Sequence, residues 1–144
     1  MKKLLFLFAL ALTQFAFGQE WMTDFESAKQ LAAEQDKRLL LVFQGSDWCA
    51  PCRHMEKYIW SSESFKAYAK DSLIMVSCDF PLRKENKLPK DQVAKNEALA
   101  EKYNTGGNFP YIIVFDANGD IIDSHGFQTE GPEAYIALLE GLKK

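Results

Sequence analysis

The chain has 144 residues, 47% hydrophobic and 26% charged, with 17 Lys+Arg against 20 Asp+Glu for a formal net charge of −3. That balance excludes recruitment of nucleic acid or anionic lipid by bulk charge, and the length suffices for a single packed core without disulfide support. The three cysteines therefore need a reason other than scaffolding, which in an exported chain favours an even count.

The first residues, "MKKLLFLFALALTQFAFG", are unlike anything after them. Lys2 and Lys3 form a basic start, Leu4 to Gly18 is uncharged, and Ala16-Phe17-Gly18 supplies small residues at both positions before a signal-peptidase cut. Residues 1–18 are expected to be a cleaved signal peptide, leaving 19–144 as one domain. The run falls short of the ~18 apolar residues a span needs, and no cysteine stands at the cut to carry lipid. The expectation is an exported, periplasmic protein, monomeric and not inserted in the membrane. Losing two lysines takes Lys+Arg from 17 to 15 against 20 acids, so the mature net charge is about −5.

Thr23-Asp24-Phe25-Glu26 resembles a capping box, and Phe25, Ala28, Leu31 and Ala32 share one face of a helix predicted to end near Asp36. "RLLLVFQG" is a short apolar run bounded by charge and glycine, the pattern of a strand buried on both faces. After Cys49 and Cys52, "RHMEKYIWSSESFKAYAK" reads as helix with a break at Ser61-Ser62 and a restart capped by one of them. "SLIMVSCDF" is the next strand, Phe80 to Lys90 a charged, proline-punctuated exposed loop, and "DQVAKNEALAEKYN" a helix. "YIIVFDANGDIIDSHGF" joins two β-branched runs through Asn118-Gly119, a tight hairpin signal. In "GPEAYIALLEGLKK", Pro132 suits a first helical turn and the lysines its last. Strands alternating with helices and finishing in a hairpin imply an α/β three-layer sandwich, its mixed sheet covered by helices on both faces.

"VFQGSDWCAPC", the proline of "GNFPYIIVFD" and the element order together resemble the thioredoxin superfamily, in the style of its secreted disulfide reductases and isomerases. The resemblance spans nearly all of Glu20 to Lys144. It implies a thioredoxin-like fold, a redox-active Cys49–Cys52 disulfide as the only redox group with no separate cofactor, and a cis-proline at Pro110. It further implies that Phe109 offers backbone hydrogen bonds to an extended peptide substrate, so that binding reads backbone more than side chains. Trp48 is expected to flank the dithiol as an exposed apolar platform.

The residues support the same chemistry. Cys49 falls where a buried strand ends and a helix begins, among unpaired N–H groups that favour thiolate over thiol. It is the expected nucleophile. Cys52 lies one turn on, on the same side, placed to resolve a mixed disulfide. Ala50 and Pro51 support the turn, since a first-turn proline surrenders an N–H with no helical partner. A bridge between residues three apart closes too small a loop to act as a staple.

Two departures from the family pattern stand out. Phe43 occupies the place, six before the first cysteine, where many thioredoxins carry an aspartate that assists the resolving thiol, and nearby Asp47 is expected to be exposed and a weak substitute. Lys57 occupies the place of a mid-helix proline, which predicts a straighter helix. Arg53 is read as a screened surface cation, His54 as a surface histidine, Cys78 as a half-buried thiol, and His125 as lacking a visible partner. No metal is expected, because Cys78, His54 and His125 make no second ligand pair at the right spacing.

The function expected is thiol–disulfide exchange on cysteine-containing protein substrates, leaning to reductase or isomerase because Ala-Pro is closer to thioredoxin's Gly-Pro than to the histidine-containing dipeptides of oxidants. Sustained reduction outside the cytoplasm would need a membrane or extracytoplasmic thiol donor. The alternative is a client-binding, chaperone-type module with little turnover.

Overall fold

The computed structural model describes residues 20–143; the expected signal peptide lies outside the described residues. Helix α1 (Phe25–Gln35) follows a two-residue strand β1 (Trp21–Met22), and β2 (Arg38–Gln44) leads to α2 (Ala50–Met55), continued by a π-helical turn at Glu56–Trp60. Then come α3 (Glu63–Ser72), β3 (Leu73–Asp79), a 3-10 turn at Lys84–Asn86, α4 (Lys90–Tyr103), the hairpin β4 (Tyr111–Phe115) and β5 (Ile121–His125), and α5 (Pro132–Gly141). The strand order is β1-β3-β2-β4-β5, with β1 and β2 parallel to β3, and β4 antiparallel to both β2 and β5. This is the α/β sandwich expected.

Alternation along the central strands divides the core in two. Leu40 and Val42 of β2, Met75 of β3 and Ile112 and Val114 of β4 face α2, α3 and α5, packing on Met55, Ile59, Trp60, Phe65, Tyr135 and Leu139. Leu39, Leu41 and Phe43, with Ile74, Val76, Cys78 and Ile113, face the other way, onto Phe25, Ala28 and Ala32 of α1, with Leu99 and Tyr103 of α4 against the same cluster.

Local chemistry differs from expectation in four places. The cap of α1 is Asp24, whose carboxylate accepts from Ser27 N–H at 2.9 Å, so the box starting at Thr23 does not form. The hairpin turn is longer than two residues: Asp116 Oδ1 accepts from both Asn118 and Asp120 N–H, and only Gly119 has positive φ, at 89°. Helix α5 stops at Gly141, short of Lys143; its last carbonyls are instead met by Arg38, whose guanidinium donates to Leu139 C=O and, at 2.6 Å, to Leu142 C=O. The active-site helix is not simply straight, because the π turn widens it at Glu56, immediately before Lys57. The break beyond it is as predicted, with Ser62 capping α3.

Candidate active site

Strand β2 delivers the chain to a tight turn in which Gly45 C=O accepts from Trp48 N–H at 3.2 Å and Cys49 N–H at 2.8 Å. A Cβ on Gly45 would meet the Trp48 ring at 2.1 Å, so only glycine lets the indole fold back over the turn. Ser46 ties the turn to the end of β3, donating through N–H and Oγ–H to the two Asp79 oxygens at 2.8 and 2.6 Å. Cys49 caps α2; its sulfur accepts from Cys52 N–H at 3.2 Å, and it is joined to Cys52 as a disulfide. Both cysteines are buried, while Ala50 and Pro51 of the first turn are exposed.

Around the disulfide lies an aromatic surface. Trp48 is 41% exposed and donates its indole N–H to Phe80 C=O at 2.7 Å. Its ring meets Phe109 edge-on at 5.3 Å, and Phe109 in turn meets Phe80 at 5.7 Å. The Phe109–Pro110 peptide bond is cis and Pro110 is buried at the start of β4. Exposed His54 touches Tyr58 and Phe127, both themselves exposed aromatics.

Asp47 is not a free acid beside the dithiol. Its carboxylate accepts from Leu82 N–H, Arg83 N–H and the Asn86 side chain at 3.0, 2.9 and 3.0 Å. These bonds, with the Leu82 amide first, hold its pKa down at about 2. It anchors the loop after β3.

Phe43 does not reach the cleft of Cys52. Its side chain is in the α1-facing half of the core, stacked on Tyr111 and clustered with Cys78, on the sheet face opposite α2. Cys52 instead backs onto a cleft of about 300 Å³ lined by Gln44, Ser46, Ser77, Glu56, Arg53 and Trp21. Gln44 Nε2 donates to Ser77 Oγ at 2.8 Å, and Glu56 stands one turn beyond Cys52. These polar groups share the cleft with Cys52, and reasoning from sequence spacing missed them.

Cys78 is fully buried, its thiol donating to Asn96 C=O at 3.6 Å, and burial pushes its pKa up to about 12. It is an inert core thiol at neutral pH. His125 has two partners after all: Asp123 at 2.7 Å on Nδ1 and the Tyr135 hydroxyl at 2.9 Å on Nε2. Neither residue joins the dithiol. Among the described residues no group of three or more His, Cys, Asp or Glu side chains could hold a metal ion.

The pattern of the thioredoxin-like family matches residues 20–117. The chain belongs to the thioredoxin-like family. Among its relatives, the disulfide bond reductase DsbH of Chlamydia pneumoniae is 34% identical over 129 residues, covering 90% of this chain and 75% of that protein. A solved DsbH oxidoreductase superposes with a TM-score of 0.76 at 33% identity, over 84% of this chain and 81% of the other. The C-terminal domain of Neisseria meningitidis DsbD, in its oxidised form, shares the thioredoxin-like fold at a TM-score of 0.58 and 18% identity, over 86% of this chain and all of that one.

Proposed function

We propose that the protein is an exported thiol–disulfide oxidoreductase that reduces or isomerises disulfides in protein substrates. The observation that carries this reading is the Cys49–Cys52 pair at the strand-to-helix turn, flanked by exposed Trp48 and by the Phe109–Pro110 segment. Similarity to a disulfide bond reductase over most of both chains supports it.

In the reductive direction the Cys49 thiolate attacks one sulfur of a substrate disulfide, forming a mixed disulfide and expelling a substrate thiolate, which takes a proton. Cys52 then loses its proton and attacks Cys49 Sγ. The Cys49–Cys52 bond forms, the second substrate thiolate leaves, and two electrons have passed from dithiol to substrate. The Cys52 N–H directed at Cys49 Sγ stabilises negative charge on that sulfur as the attacking thiolate. An extended substrate lies beside Phe109 and Pro110 by backbone pairing, with Trp48 as an apolar platform. Return to the dithiol requires an extracytoplasmic thiol donor, such as a membrane thiol-transfer protein.

The test is reduction of insulin by dithiothreitol, accelerated by the wild type and not by Cys49→Ser. Cys52→Ser should accumulate a mixed disulfide through Cys49. Equal acceleration by Cys49→Ser sinks the enzyme reading. The reduction potential sets direction: a value above about −150 mV would make the protein an oxidant and defeat the reductase assignment.

A further inference from the structure

The loop between β3 and α4 covers a second groove of about 600 Å³, with Phe80, Leu82, Leu88 and Val93 among its walls. That is large enough for a side chain and its neighbours. Leu82 is 73% exposed and Val93 37%, although the loop is firmly held: Asp47 takes two of its amides and Asn86, Phe80 N–H donates to Gln44 C=O at 2.9 Å, and Trp48 holds Phe80 C=O. Leu82 on this pinned loop and Val93 on α4 line the same groove while exposed, which gives a ligand an apolar patch rather than a single residue.

Charge says by what. In a chain of net charge −3, residues 80–90 carry Arg83, Lys84, Lys87 and Lys90 against the single acid Glu85. All four cations are exposed and Lys87 and Lys90 line the groove itself, where Asp79 is the one acid among its walls and already accepts from Ser46; Arg83 lies near Asp47, while no salt bridge engages Lys84, Lys87 or Lys90 among the described residues. Phe80 links the groove to the active-site surface, since it is one of the groove's walls and its ring also meets Phe109.

We propose that this groove is an anchoring subsite for disulfide-bearing substrates, taking an aliphatic side chain flanked by acidic residues from the segment that runs past Phe109. The inference rests on the oxidoreductase reading above and adds a side-chain preference to it. Backbone pairing beside Pro110 presents the scissile sulfur to Cys49, and the groove selects which segments stay long enough to react.

The experiment uses short synthetic peptides, each with one cysteine in mixed disulfide with thionitrobenzoate and one leucine moved stepwise along the chain, flanked by glutamates or by lysines. Reduction of glutathione disulfide, too small to span both sites, normalises every variant. The glutamate series should show a maximum in kcat/KM at one leucine spacing, about tenfold over the alanine-matched peptide, as partial burial of a leucine provides. The lysine series should fall below it at low salt and converge with it at high salt. Val93→Asp should flatten the maximum, and Lys87→Glu with Lys90→Glu should invert the charge preference.

Rates independent of leucine position, or a preference unmoved by these substitutions, overturn the groove. Concentration-dependent dimerisation abolished by Val93→Asp would assign it to a second copy and also overturn the proposal. A protein that reduces none of the probes defeats the oxidoreductase reading; amide shifts of Leu82 and Val93 on adding unlinked peptide then judge the groove independently, and shifts confined to other surfaces reject it.

Discussion

The carboxylate of Asp47 lies 3.0 Å from the amide nitrogen of Leu82, 35 positions further along the chain, so the turn that presents Cys49 and the loop that follows β3 are one unit. The pKa of Asp47 is lowered from 3.8 to about 2 by its hydrogen bonds to Leu82, Asn86 and Arg83. A depressed carboxylate stabilises the folded arrangement above its ordinary pKa and loses that contribution as pH falls through the folded value. The loop should therefore stay docked at pH 5 and release between about pH 4 and 2. The amide resonances of Leu82 and Arg83 should titrate together with a midpoint of about 2; a midpoint near 4 would mean the bonds are absent in solution. Asp47→Ala should expose both amides to exchange at neutral pH.

Gly45→Ala tests the indole over the turn. With only 2.1 Å between the new Cβ and the Trp48 ring, the ring must swing outward and give up Phe80 C=O, a loss of about 1 kcal/mol. The fold survives, since the ring is already 41% exposed. Intrinsic fluorescence should change and KM for insulin should rise several-fold, with little change in the rate on glutathione disulfide. An unaltered KM would remove Trp48 from substrate binding.

The contrast between what was legible in the sequence and what was not is clearest along β2. Its unbroken run of apolar residues made a doubly buried strand plain, and Pro51 suited the first turn of the helix after Cys49. Counting six residues back from Cys49, however, lands on Phe43, which β2's pairing with β3 and β4 turns toward α1. Neighbours in a strand point to opposite faces, and nothing in a single strand says which face the next helix will cover. Gln44 is one residue away and on the right face. Ser77 and Phe80 were invisible for a different reason: they arrive from β3 and the residue just after it, brought to the turn only by sheet register. Strand β1 spans two residues and has no period to read. His125 looked solitary because its hydroxyl partner, Tyr135, comes from α5 on the far side of a loop.

The cleft behind Cys52 makes a prediction about proton transfer. On the proposed mechanism Cys52 must be deprotonated to resolve the mixed disulfide, and Glu56, one turn on and lining the same cleft, is predicted to receive that proton. Glu56 is exposed and also accepts from Ser61 Oγ at 3.1 Å, so water can partly replace it. Glu56→Gln should slow resolution about tenfold at neutral pH, below the 10²–10⁴ of a fully sequestered base. The deficit should shrink at high pH as hydroxide takes over. Stopped-flow measurement of mixed-disulfide decay between pH 6 and 9 separates the steps; a deficit constant across that range would make Glu56 structural. Gln44→Leu retains the carboxylate and should keep the pH profile while lowering its amplitude.

Arg38 ties the start of β2 to the end of α5, far from the dithiol. Its guanidinium reaches Leu139 C=O and Leu142 C=O, two carbonyls left over where the helix ends, and no lysine within the last turn does that work. Charge-assisted bonds to partly buried carbonyls contribute more than neutral ones, so Arg38→Ala should cost about 1.5–3 kcal/mol and lower the thermal midpoint by several degrees. Arg38→Lys should recover only part, because an ammonium is a compact point charge and lacks the planar fork that spans both oxygens. The rate of insulin reduction below the transition should be unchanged in both variants, since Arg38 enters β2 at the end opposite Gln44. A loss of activity in folded Arg38→Ala would mean that α5 and the hairpin it packs against hold the Pro110 segment in place.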